Sequence, residues 1–178
     1  FTYGDMTSVA ISPDGTTLAA AIQAEGYADS GRVALFTCKS DGTLKFVKAI
    51  KVGIQPDMVT FTPNGSKILT ANEGEPRNGY GVGTIDPAGS VSVIDVKTGS
   101  VSTVGFTAYD SAAARQALVE DGVLLMKNAA PSVDFEPEYI ACTNDTAYVT
   151  LQEANAIAVL DLTAGTFTGI YSVGFEDY

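Results

Sequence analysis

The sequence contains no histidine. Without one, the chain cannot by itself build a Ser-His-Asp triad, a Cys-His pair, or a histidine-ligated zinc or iron site. Cysteine is scarce as well, and Cys38 and Cys142 form no C-x-x-C pair. They fall on strands of different repeat units, so two buried free thiols are expected rather than a disulfide. Basic residues are few, 10 against 21 acidic, for a formal charge of −11. A phosphate-tracking nucleic-acid binder needs a basic stripe, and an anionic membrane would repel so acidic a surface. No apolar run approaches the roughly 20 residues of a membrane-spanning helix. The chain opens on Phe1-Thr2-Tyr3-Gly4, with neither an initiator Met nor a signal peptide. It is therefore expected to be a piece of a longer precursor.

What the sequence does have is repetition. It is 46% hydrophobic with 18 glycines, a mix suited to folded β structure rather than to disorder. Val9-Ala10-Ile11-Ser12-Pro13-Asp14-Gly15 returns as Val59-Thr60-Phe61-Thr62-Pro63-Asn64-Gly65, and a worn copy reads Ile140-Ala141-Cys142-Thr143-Asn144-Asp145. Each copy alternates apolar and polar residues like a half-buried strand, then enters a tight turn. A second strand follows each turn. A third pattern, Ser90-Val91-Ser92-Val93-Ile94-Asp95-Val96, matches Ala156-Ile157-Ala158-Val159-Leu160-Asp161-Leu162 and stands in the place of Arg32 to Phe36. Another turn and a fourth strand close each unit. Asp95 and Asp161, at the end of the third strand, are read as partners for the amides of the turn that follows.

Four antiparallel strands per unit, recurring at about 40 to 50 residues, is the pattern of a propeller blade. A β-sandwich also explains many short strands, but not the return of the same turns in the same order. The expected fold is all-β: a β-propeller fragment of about three four-stranded antiparallel blades. The units span about 5–52, 53–106 and 136–174, with a short helical insertion within 107–135. The helix should lie between Asp110 and Gly122, capped by Asp110 or Ser111, with Leu118 and Val119 packed on the blades. Propellers close with typically four to eight blades. Three units therefore need further blades of a longer parent chain, or association. Tyr171 to Phe175 reads as the approach to another blade.

The first-to-second and third-to-fourth strand turns are short. The long segments, Ala24 to Gly31, Glu73 to Gly89 and Thr107 to Phe135, all emerge on the opposite face. Carboxylates gather there. Asp57 and Glu138 are expected at equivalent strand starts, and Glu73 and Glu153 at equivalent strand ends. Glu75, Asp86, Asp134 and Glu136 lie in the adjoining loops. Such acids repel unless a cation, a basic residue or protonation relieves them. One reading gives Glu73, Glu75, Asp86, Glu136, Glu138 and Glu153 to a hard cation, Ca²⁺ or Mg²⁺. The other has the acids cap loop amides or pair with Arg77 and Arg32. Glu73, Glu75, Arg77, Tyr80, Glu136, Glu138 and Glu153 form the candidate ligand-binding face. Tyr80 and Tyr27 either stack on a ligand or pack their own loops. The run Gly79-Tyr80-Gly81-Val82-Gly83 lacks the strand-then-helix setting and the Lys-Ser/Thr of a phosphate loop.

Ser12-Pro13-Asp14-Gly15, and Ser90 to Asp95 with its Thr-Gly turn, resemble YVTN-type propellers. Ala71 to Arg77, Asp86 to Val91, Glu136 to Ala141 and Leu151 to Ile157 together resemble the choice-of-anchor I family. That resemblance spans nearly the whole chain. It implies a secreted or surface-anchored bacterial protein, often labelled alkaline-phosphatase-like or surface-layer-like. It also implies export, a longer parent and further blades, and it assigns no catalytic residues. Two functions follow as expectations: an extracellular or cell-surface module binding an unknown ligand, or a metal-dependent, phosphatase-like hydrolase on the acidic face. Under the second, Arg77 would contact the anion. A purely structural role is the remaining reading.

Overall fold

The computed structural model describes residues 1–126 and 129–174. Twelve strands form three separate four-stranded sheets, each antiparallel and in simple up-and-down order. The first blade holds β1 (Tyr3–Ile11), β2 (Thr17–Ala24), β3 (Ser30–Cys38) and β4 (Leu44–Ile54). The second holds β5 (Pro56–Phe61), β6 (Lys67–Asn72), β7 (Ser90–Asp95) and β8 (Val101–Gly105). The third holds β9 (Pro137–Cys142), β10 (Thr146–Leu151), β11 (Ala156–Asp161) and β12 (Thr166–Ser172). β5 packs between β1 and β9, so the first strands of the blades stand side by side. Of the segment expected to approach another blade, Tyr171 and Ser172 belong to β12 and Phe175 falls outside the described residues.

The turns explain why the units repeat. In blade one, Gly15 N–H donates to Ser12 O, while Asp14 Oδ1 accepts from the Ser12 hydroxyl and the Thr16 amide. In blade two, Gly65, Thr62, Asn64 and Ser66 repeat these bonds. The Asp95 carboxylate accepts from Thr98 N–H and Asp161 from Thr163 and Ala164 N–H, so both acids serve their turns.

The core lies between blades. Ala19, Ala21, Val33, Leu35 and Ile50 of blade one meet Val59, Ile68 and Ile94 of blade two. The opposite face of blade two gives Leu69, Ala71 and Val91 to Ile140, Val149 and Leu160 of blade three. Blade two is therefore covered on both faces, and five consecutive residues of β6, Ile68 to Asn72, are buried. The last of these, Asn72, is fully satisfied: it accepts from Thr70 Oγ1 and donates to Ser90 and Ser92 Oγ. The outer blades keep one bare face each. On blade three, pairing places Tyr139, Tyr148 and Tyr171 together on the uncovered face; all three are exposed. On blade one, Val9, Ile11 and Phe46 are exposed in the same manner.

The link between blades two and three carries the helical insertion. A single 3-10 turn, Thr107–Tyr109, precedes α1 (Ala112–Glu120), and a short α2 (Pro131–Asp134) leads into β9. Ser111 caps α1 by accepting from Ala114 N–H. Asp110 instead holds α2, taking both the amide and the hydroxyl of Ser132 at 2.8 Å. Leu118 packs inward as expected, but Val119 is exposed. One residue further along a helix turns the side chain by about 100°, off the buried stripe. Phe106 stacks on Phe167 at 4.3 Å and meets Phe135 edge-on at 5.2 Å, fastening the two ends of the insertion.

Candidate functional site

The insertion and the long loop of blade two, residues 73–89, meet on one face. The turns of the opposite face are all tight. Between the two segments is a cleft of about 420 Å³ lined by Tyr80, Leu124, Leu125, Met126, Asp134, Glu136 and Glu153. It adjoins a wider recess along Tyr80 to Thr84, Asp86 and the start of α2.

Glu136 is the centre of this site. It is 4% exposed, and its Oε1 accepts the Tyr80 hydroxyl at 2.8 Å. Burial pushes its carboxyl up to about 7; the Tyr80 bond works in the opposite direction, and Glu153, Glu75 and Asp86 add repulsion. Close packing fixes its backbone. A Cβ on Gly89 would lie 2.1 Å from the Phe135 carbonyl and 2.6 Å from Pro137 Cδ, so only glycine lets the loop end lie against Glu136's neighbours. Asp134 is also buried, and its Oδ2 accepts the Met126 amide. Asp86 has one buried oxygen, Oδ1, with no partner among the described residues. Burial raises the carboxyls of both Asp134 and Asp86.

A second group of acids lies beside the cleft, at the start of β5 and β9 and the end of β6. Burial pushes Glu73 up to about 8, aided by repulsion from Glu75, Asp57, Glu138 and Glu136. Asp57 is raised by burial, and Glu138 by burial and then by Glu153, Asp57 and Glu75. Glu73, Glu75, Glu136, Glu138 and Glu153 thus act on one another electrostatically across a shared rim. Among the described residues, no three carboxylates are grouped closely enough to hold a metal ion.

Two expectations need revision. Arg77 and Arg32 have other partners than these acids, and among the described residues only Arg115 acts favourably on one of them, Asp134: Arg77 donates to Gln23 Oε1 and Ala24 O and covers the Tyr27 ring at 5.4 Å. Arg32 donates to Ser30 O and Gly31 O and covers the Phe1 ring. Arg77 therefore straps the blade-two loop to blade one rather than facing the cleft. Secondly, Glu153 is not the counterpart of Glu73. Asn72 pairs with Ser90, and Leu151 with Ala156, so the register equivalent of Glu73 is Gln152, with Glu153 one residue further on. The shorter turn between β9 and β10 removes two residues rather than one. Tyr80 keeps its ring exposed and donates its hydroxyl to Glu136 across the cleft.

The apolar wall of Leu124, Leu125 and Met126 had no signal in the repeat, because it lies in the insertion. Gln55 did have one. Gln55-Pro56-Asp57 and Glu136-Pro137-Glu138 are the same entry to a first strand. Gln55 is 1% exposed at φ 50°, and neither of its amide atoms has a partner among the described residues.

The three up-and-down sheets, joined through their first strands, define a β-propeller. The chain belongs to the choice-of-anchor I domain family, whose match extends over residues 1–178. Solved structures agree on the fold. Hydrazine synthase of Kuenenia stuttgartiensis superposes with a TM-score of 0.59 at 16% identity, over 94% of this chain and 49% of that one. A functionally unknown protein from Desulfotomaculum acetoxidans gives 0.53 at 12% identity, over 94% and 43%. The Myceliophteria thermophila Cps50 (Swd1) β-propeller domain gives 0.55 at 12% identity, over 95% and 42%. The chain spans less than half the length of each of these chains. No curated protein shows significant similarity to it.

Proposed function

We propose that the chain is part of an exported, surface-associated propeller that binds an external partner on its long-loop face. One observation carries this reading: two long segments from adjacent blades enclose a cleft around a buried carboxylate, while the other face has only tight turns. Concave, partly apolar sites with a few placed polar groups are where ligands bind, and loops on a rigid scaffold commonly supply them. Family membership supports the surface association. The bare aromatic face of blade three and the apolar face of blade one are suited to further blades of the parent chain. The phosphatase-like alternative gains nothing from the rim, where no three carboxylates among the described residues are placed to hold a metal ion and Arg77 is turned away.

The test is retention of the full-length protein on envelope fragments of the producing cells. Val82→Arg with Glu153→Lys alters the loop face; Asp41→Lys with Lys97→Glu alters the tight-turn face. Binding should fall at least tenfold for the first pair and stay within twofold for the second. Equal effects, or loss with the second pair alone, would overturn the reading.

A further inference from the structure

The cleft has a composition that selects among ligands. Its buried acids present oxygens with no hydrogen-bond partner among the described residues: Glu136 uses Oε1 for Tyr80, and Asp134 uses Oδ2 for the Met126 amide. Both residues are more than nine-tenths buried, and both line the cavity. Beside them stand Leu124, Leu125 and Met126, and Tyr80 contributes its ring. Each carboxylate is held by one hydrogen bond while burial works against its charge; Arg115 partly offsets this at Asp134, whereas no cation among the described residues does so at Glu136, so a cation placed in the cleft would relieve what remains.

A metal ion and an organic cation make different demands. A hard metal takes a shell of six or more oxygens, water included, and gains nothing from an apolar wall; no three carboxylates among the described residues are grouped to hold one. An ammonium or guanidinium head is satisfied by one or two carboxylates, and it arrives on an alkyl stem that must be buried too. An apolar wall next to two acid oxygens fits the second demand.

We infer that the Tyr80–Glu136 cleft is a receptor for an aliphatic cation, a primary ammonium or guanidinium group on an alkyl stem. The head lies against Glu136 and Asp134, and the stem lies along Leu124, Leu125 and Met126. Tyr80 is a positioning residue: its hydroxyl fixes Oε1 and leaves Oε2 for the ligand. This names a ligand class for the loop-face reading and rests on it, but it is tested without the natural partner.

The experiment is calorimetric titration of the full-length protein with n-pentylammonium, its neutral counterpart 1-pentanol, and Ca²⁺. A second arm uses a short blocked peptide with one central lysine, against the same peptide with norleucine. Pentylammonium should bind at least tenfold more tightly than pentanol. Glu136→Gln, which keeps the shape and removes the charge, should weaken it at least tenfold. Tyr80→Phe should weaken it less, and raising salt should weaken the wild type. If the peptide's lysine-over-norleucine preference exceeds that of the free amine pair, the cation belongs to a protein side chain; the reverse makes it a small amine, and both support the cleft. Equal binding of amine and alcohol, or an unchanged affinity in Glu136→Gln with the fold intact by thermal unfolding, would overturn the inference. Envelope retention that persists alongside such a result would leave the loop-face reading standing. Amine binding without loop-face retention would remove that reading while keeping the cleft.

Discussion

Glu73 and Glu136 are costly residues for this fold. Burial and crowding lift their carboxyls from an ordinary 4.5 to about 8 and about 7. A raised value in the folded state means that the fold keeps a proton which the unfolded chain has already released. Stability from this source is whole below about pH 4.5, declines as pH rises through the interval, and levels off above about 8. The turn aspartates Asp14, Asp41, Asp95 and Asp161 are held below their ordinary value of 3.8 by hydrogen bonds, so they act under that window. Glu73→Gln should therefore flatten the loss of thermal stability between pH 4.5 and 8. At pH 8 the variant should melt a few degrees above the wild type, about 2–4 °C for each kcal/mol relieved. A variant that melts lower at pH 8 would mean that the ionised Glu73 has a favourable partner. The clustering of these acids was legible in the sequence because it follows from blade topology. The depth of each one was not, since it depends on the insertion that covers Glu136.

At the scale of elements, the cleft depends on how the 73–89 loop returns to β7. Gly89 lies against the Phe135 carbonyl and Pro137, on either side of Glu136. Gly89→Ala should destabilise the protein by about 1–3 kcal/mol, as an overpacked contact with backbone does. Gly81→Ala in the same loop meets nothing nearer than Thr84 Cγ2 at 3.8 Å and should be close to neutral. Urea unfolding of the two variants compares them directly, and equal effects would show that the loop end is not held there. The strands themselves were readable because their turns reuse one chemistry: an acid or amide side chain collecting the next amides, then glycine. The insertion was readable only in part. Its one capped helix has a local signature, Ser111 to Gly122, whereas α2 is a single turn whose Ser132 is held by a residue far away in sequence, Asp110. The tie of Arg77 to blade one was invisible for the same reason, because its partners Gln23 and Ala24 belong to another unit. Gln152 rather than Glu153 stands in the place of Glu73 because the worn turn is two residues shorter, a difference that only strand pairing reveals.

At the scale of the molecule, three blades form an arc with two different kinds of exposed surface. The terminal blade faces are apolar, and on blade three they are aromatic. The loop face is acidic and irregular, and it has the cleft. A propeller requires the first kind to be covered by other blades and leaves the second kind open for binding. Hydroxyl-radical footprinting of the tyrosine rings in the full-length protein distinguishes the two surfaces in one measurement, because it reads ring exposure and not phenol ionisation. Tyr139, Tyr148 and Tyr171 should be protected by neighbouring blades, and Tyr80 should remain reactive on the open face. Ready labelling of the three blade tyrosines together with protection of Tyr80 would contradict both the arc and the face assigned to binding.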